Sequence, residues 1–182
     1  GSGLIGVASG ATVGALRVFD NAGSGSMSSA IAAVNHVIMN AKAGDVVNMS
    51  LGGGYSPTLD NAVMTAAGKG ILFAIAAGNS GVDCSSASPA RVNASGVFTV
   101  SAMDSYSRMW SSSNYGAPVD FAAPGLSIHT TNKGGGYTTA GGGTSYAAPH
   151  VAGILALKGK SVASSGTITG DKDSSPDKIA SL

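Results

Sequence analysis

Apolar and polar positions along this chain alternate between two periods. "ATVGALRVF" (residues 11–19) is apolar and β-branched and runs into a Gly/Ser/Asn turn, which predicts a strand. In "SSAIAAVNHVIMNAK" (28–42) Ile31, Val34, Val37 and Ile38 fall three and four residues apart, the spacing of one helix face, with Gly44 as the stop. "DVVNMSLG" (45–52) is a short apolar run ending in a loop, as buried parallel strands do. "PTLDNAVMTAAGKG" (57–70) predicts a second helix, opened by Pro57 and closed near Gly68 or Gly70, and "ILFAIAAGN" (71–79) a third strand. Strand–helix–strand–helix–strand at this spacing implies right-handed crossovers and a parallel sheet with helices on its faces.

The second half is looser. "GVFTVSAM" (96–103), "VDFAAPG" (119–125) and "SIHTT" (127–131) read as strands, and "GGGYTTAGGG" (134–143) as a tight hairpin or loop. From Ser145 to Lys158 the residues are small or apolar on nearly all sides, which predicts a central, buried helix. Pro149 within it suits only a first turn. Residues 160–182 are polar and read as a loop-like tail with one helical turn after Pro176. The chain reads as one α/β domain over residues 1–182: three layers, a mainly parallel sheet flanked by helices, and no internal repeat.

Composition sharpens this. Charged residues are 10% of the 182, against roughly 25% in ordinary domains, and Gly is 28 of them. Such a chain brings backbone close to backbone. The net charge of +1 and the scattered Lys and Arg argue against a nucleic-acid partner. The longest apolar runs are too short to span a bilayer. The lone Cys84 leaves no internal disulfide and reads as a small buried residue.

Ligands on open parallel sheets bind beyond the carboxyl ends of the strands. Two strands here end in glycine-rich loops, "NMSLGGG" (48–54) and "AAGNSG" (76–81). Side by side, they set Ser50, Leu51 and Gly52 against Ala76, Ala77 and Gly78. Asn79, at the tip of the second loop, is either an outward hydrogen-bond donor or a turn residue that tolerates φ > 0. Ser145 is either an ordinary helix cap or a hydroxyl set among free N–H groups at the positive end of a helix.

Here the chain resembles a known family. "GGTSYAAPHVAG" (142–153) is similar to the serine signature of the subtilisin-like proteases, G-T-S-x-A-x-P-H-V-A-G. "VVNMSLGG" (46–53) resembles their substrate-binding strand, "AIAAGNSG" (74–81) their oxyanion-hole segment, and "SSSNYGAPVDFAAPGLSIHTT" (111–131) the stretch before the serine, in its proteinase K-like form. The resemblance implies a serine endopeptidase with Ser145 as nucleophile and Asn79 as side-chain donor of the oxyanion hole. Ser50, Leu51 and Gly52 would line one wall of the pocket before the scissile bond and Ala76, Ala77 and Gly78 the other, with Thr144 also at the substrate. Polypeptides are the implied substrates, secretion the implied location, and no cofactor is required for the chemistry. The resemblance also implies a structural Ca²⁺ held by Asp120 with the carbonyls near Ser95 and Val97, although a single carboxylate reads equally as a solvated or capping Asp.

Two parts of that machinery are missing. Subtilisin-like proteases carry a D-x-G segment and an H-G-T-H segment ahead of the serine, and neither occurs in this sequence. His36, His129 and His150 all read as structural. "GSGLIGVASGATVGALRVF" (1–19) resembles the stretch that follows the missing histidine helix, and Gly1-Ser2 also reads as a cloning remnant. Three readings stay open: a fragment or one chain of a split enzyme whose other part brings Asp and His, a peptide-binding module without turnover, and an inactive piece. An α/β-hydrolase is excluded, because "GTSYA" lacks the second glycine of G-x-S-x-G.

Overall fold

In the computed structural model, which describes residues 3–182, two helices precede the serine region. Helix α1 spans Met27–Asn40 and α2 Pro57–Gly68. The Ser26 side chain accepts from the Ser29 N–H and the Ser56 side chain from the Leu59 N–H, so each helix is capped by its preceding serine. Between and after them run β1 (Val46–Met49), β2 (Leu72–Ala76), β3 (Val97–Met103) and β4 (Val119–Pro124). A hairpin of β5 (Leu126–Thr131) and β6 (Tyr137–Gly142) leads into α3 (Thr144–Lys158), followed by β7 (Ala163–Thr167) and β8 (Lys178–Ser181).

The sheet order is β1-β2-β3-β4-β8-β7, parallel from β1 to β8, with β7 antiparallel at the edge. Strand β2 is buried on both faces and sorts the core in two. Phe73 and Ile75 pack with Val34 and Val37 of α1 and Leu59 and Val63 of α2. Leu72, Ala74 and Ala76 face α3, where they meet Ala147, Ala148, Val151 and Leu155. Alanines on both sides of that second interface let the α3 backbone come close to the sheet, which fixes where its first turn ends up.

Three expectations are corrected. Residues 11–19 form no strand: Val13 is 86% exposed, and Phe19 makes only an isolated bridge to Gly25. An apolar β-branched run becomes a strand only where a neighbour accepts its ladder bonds, and none lies beside this one among the described residues. The tail is not loop-like. It supplies β7 and β8, with Ile168 and Asp177 buried against the sheet, and Pro176 is followed by a strand rather than a helical turn. Pro149 lies inside α3, beyond the first turn. The helical hydrogen bond lost there is the one the Ser145 carbonyl would have accepted.

Candidate active site

Loop 50–54 after β1, loop 77–82 after β2 and the first turn of α3 converge on one cleft of about 430 Å³. Ser50, Leu51 and Gly52 line one side, Ala76, Ala77 and Gly78 the other, and Ser145 stands at its mouth. The floor, which the sequence leaves open, comes from Val82, Ala87, Ser88 and Ala90. The first wall is tied to the floor: the Gly53 N–H donates to Ser88 O (2.9 Å) and the Ser88 N–H to Gly53 O (3.2 Å). A second, mostly apolar pocket of about 200 Å³ shares Leu51, Gly52 and Gly53 with the first and is closed by Val18, Phe19 and Met27. No sequence motif signals it, because its walls come from segments distant in the chain.

The first three N–H groups of α3 have different fates. Thr144 N–H donates to Asn79 Oδ1 at 2.8 Å, and Tyr146 N–H donates to Gly143 O at 3.0 Å. The Ser145 N–H has no acceptor among the described residues, nor does the half-buried Ser145 hydroxyl. The Thr144 hydroxyl donates to the same Asn79 Oδ1 at 2.8 Å and accepts from the Gly78 N–H at 3.1 Å. Two donors on Oδ1 fix the orientation of the amide, since only its oxygen can accept. Asn79 Nδ2 is therefore the free end. Two hydrogen-bond donors are thus left without partners among the described residues next to one hydroxyl, the requirement for holding a developing oxyanion. Thr144 itself is fully buried, and its hydroxyl is engaged by Asn79 and Gly78.

Sequence reasoning missed the residue that holds this loop. Asn114 is buried at 5% exposure and spends its whole side chain on the 77–82 backbone. Its Nδ2 donates to Ala77 O (2.9 Å), and its Oδ1 accepts from the Ser80 N–H (2.9 Å) and the Val82 N–H (3.2 Å). Its own N–H donates to Gly78 O at 2.9 Å. At Gly78, where φ is +108°, an added Cβ would sit 2.4 Å from Asn114 Nδ2, so the loop needs glycine there. The only available signal was an Asn inside a segment already marked by its resemblance.

The subtilase family profile matches residues 1–167. This chain belongs to the subtilase family. It is 48% identical over 157 residues to an alkaline serine exoprotease A from Vibrio alginolyticus, covering 86% of this chain and 29% of that protein. It is 46% identical over 156 residues to an extracellular serine proteinase from Thermus sp. (strain Rt41A), covering 84% of this chain and 37% of that one. The crystal structure of a cold adapted subtilisin-like serine proteinase superposes with a TM-score of 0.81 at 39% identity, over 90% of this chain and 64% of that one. The chain thus spans between about a third and two thirds of these relatives.

In this subtilase chain no histidine stands at the serine. His36 is exposed on α1, and His129 stacks on Tyr137 of the outer hairpin with ring centroids 5.5 Å apart. His150 Nδ1 lies 2.8 Å from Tyr146 O and donates to it, which turns the ring back along α3. Cys84 is wholly buried, and burial lifts its thiol to about 12, so it is inert at neutral pH.

Asp120, the carboxylate that the resemblance implies as a calcium ligand, makes a bond between β3 and β4. The β3–β4 register shifts between Thr99 and Val100, and Asp120 Oδ2 accepts the Thr99 N–H there at 2.8 Å. Burial raises its pKa, partly opposed by that bond. At Ser95 the Lys160 ammonium already donates to the hydroxyl (2.9 Å), placing positive charge beside the expected carbonyls. Among the described residues no three His, Cys, Asp or Glu side chains gather to hold a metal.

Proposed function

We propose that this chain is the serine-bearing part of an endopeptidase that cleaves polypeptides through an acyl-enzyme on Ser145. One observation carries the reading: the Ser145 N–H and Asn79 Nδ2 are both left over as donors beside the Ser145 hydroxyl, in the cleft between the two loops. In the proposed reaction Ser145 Oγ attacks the scissile carbonyl, and the carbonyl oxygen, as it gains charge, takes hydrogen bonds from these two donors. The leaving amine departs, and water then releases the acyl group by the same route in reverse order. Neither step asks for a metal ion or an organic cofactor.

The proton on Ser145 needs a base, and the base needs an orienting carboxylate. A polypeptide segment outside these 182 residues supplies both in this reading, either upstream in the same protein or as a second chain. An extended peptide laid along Leu51–Gly53 would drop one side chain into the larger cleft and another into the smaller apolar pocket. Alanine and glycine walls admit large apolar side chains, so specificity is broad. Two relatives are named as an exoprotease and an extracellular proteinase. An extracytoplasmic location is proposed on that ground.

The test is intact-mass spectrometry before and after exposure to a serine-directed fluorophosphonate. A mass gain mapped to Ser145 supports the reading, and the same spectrum shows any second polypeptide that brings the base. In subtilisin, removing the histidine alone costs about 2 × 10⁶ in kcat. If the preparation contains an H-G-T-H segment and Ser145 still fails to gain mass, turnover is excluded. Peptide binding in the cleft is then the function to measure.

A further inference from the structure

Ser50 follows directly on β1 at the wall of the cleft, and its hydroxyl turns to the main chain of Ser145. Its Oγ is 2.9 Å from the main-chain oxygen of Ser145, and Asn48 Nδ2 is 3.0 Å from the same Oγ. A carbonyl can only accept and the amide N–H can only donate, so the one hydroxyl proton of Ser50 must point at Ser145 O. The direction of the relay is therefore fixed: Asn48 N–H to Ser50 O–H to the Ser145 carbonyl.

The reason a side chain is needed there lies four residues on. In an α-helix the carbonyl of residue i accepts from the N–H of residue i+4. For Ser145 that residue is Pro149, which lies inside α3 and has no N–H to give. The helix thus forfeits one bond, and it does so at the residue that carries the nucleophile. Pro149 is exposed, so its ring is not kept for core packing. The missing donor is replaced from β1, across the cleft wall.

We propose that Ser50, backed by Asn48, is a positioning residue: it sets the peptide plane that follows Ser145 and so holds the residue in register with Asn79. The carbonyl is anchored toward β1, while Asn79 Oδ1 anchors Thr144 on the residue before it. Ser145 is thereby gripped from both sides by loops of two different strands, not by its own helix. This deepens the hydrolytic reading and rests on it for its functional meaning, but the relay is measurable without turnover.

The whole chain, labelled with carbonyl-¹³C serine and ¹⁵N tyrosine, has two Ser–Tyr peptide bonds, Ser105–Tyr106 and Ser145–Tyr146. A spectrum correlating each tyrosine amide with the preceding carbonyl therefore has two peaks, and Ser105 is an internal control. Ser50→Ala is expected to move the Ser145 carbonyl upfield and leave Ser105 in place; Ser50→Thr, which keeps the hydroxyl, returns it. In a Pro149→Ala background, residue 149 regains its N–H, and Ser50→Ala then moves the peak far less. Urea unfolding follows the same pattern: Ser50→Ala raises the unfolding constant about tenfold when Pro149 is present and less than about twofold in the Pro149→Ala background. An unmoved Ser145 peak, or an equal cost in both backgrounds, overturns the proposal. Should Ser50→Ala not fold, Ser50→Cys takes its place: the thiol is a poorer donor, so the Ser145 peak is expected part of the way upfield, and an unmoved peak again overturns the proposal. A failed fluorophosphonate reaction bears on the hydrolytic reading alone and leaves this cycle standing.

Discussion

Asn114→Ala is the most informative single change for the geometry of the site. It removes three side-chain hydrogen bonds to the backbone of loop 77–82 while leaving every cleft-lining side chain on that loop in place. The three are unequal. Ala77 is 1% exposed, so its carbonyl loses its partner without access to water. Ser80 and Val82 are exposed, and their N–H groups can turn to solvent. Counting one full penalty of about 1–3 kcal/mol for the buried carbonyl and smaller ones for the other two gives about 3 kcal/mol in all. For a domain of this size that is a fall in Tm of about 6–12 °C, since each kcal/mol shifts Tm by about 2–4 °C. Thermal melts and urea curves of wild type, Asn114→Ala and Asn114→Asp measure it. Asn114→Asp keeps the acceptor for Ser80 and Val82 but sets a carboxylate against the Ala77 carbonyl, so it should remain below wild type. A loss under about 1 kcal/mol for Asn114→Ala would mean that the Asn114 N–H to Gly78 O bond and the strand ends hold the loop unaided, and the Asn114 side chain would lose its role as the anchor of the loop.

Other expectations follow from single contacts. Asn79→Ala in a turnover-competent preparation should lower kcat with little change in KM; the size expected, about 10²–10³, is borrowed from the equivalent loss in subtilisin, and steady-state kinetics on a peptide substrate checks it. Burial, with Asp171, Asp173 and Asp120 nearby, lifts Asp177 to about 7 despite the hydroxyl bond from Ser101 (2.6 Å). An unfolded Asp ionises near 3.9, so between about pH 4 and 7 the unfolded state has lost a proton that the folded state keeps. Stability should therefore fall as pH rises through that window, by about 4 kcal/mol at most, and level off above it. Asp177→Asn should flatten that slope in urea titrations at stepped pH; an unchanged slope would assign it to other groups. Ending the chain after Ser161 removes β7, β8 and the buried Ile168 from the open edge of β4, and should abolish cooperative unfolding by circular dichroism.

What the sequence displayed of this fold was mostly its periodic part. Helices α1 and α2 and strands β1 to β3 each carry a local pattern dense enough to read, and the turn of Ser145 at a helix start is visible from the glycines before it and the alanines after. The tail was opaque for a physical reason: β8 pairs with β4, more than fifty residues away, and its strand character comes from that partner, not from its own residues. Residues 11–19 fail in the opposite sense, with the right residue types and no neighbour. Within the site, residue identities were legible but several tasks were not. Thr144 and Ser50 line the cleft, and each turns its hydroxyl onto the machinery: Thr144 orients Asn79 and Ser50 takes the Ser145 carbonyl. A hydroxyl has one proton to place, and where it goes is decided by three-dimensional neighbours that no local pattern encodes.

The low charge and high glycine content also acquire a specific meaning. Ser145 reaches Asn79 only because α3 lies close against the sheet, and that distance is set by Ala74, Ala76, Ala102 and Ala123 facing Ala147 and Ala148. In the turn between β4 and β5, a Cβ on Gly125 would meet the Ala102 Cβ at 2.6 Å and Gly143 O at 2.9 Å. A side chain added at either Ala102 or Gly125 would thus push the β4–β5 turn and the Gly143 peptide outward. The first turn of α3 would carry its N–H groups with it, away from Asn79 Oδ1. Apolar bulk would ordinarily add to core stability, at about 25 cal/mol for each Å² of apolar surface it buries. At this interface the chain forgoes it, because the oxyanion donors depend on backbone proximity that larger side chains would not allow.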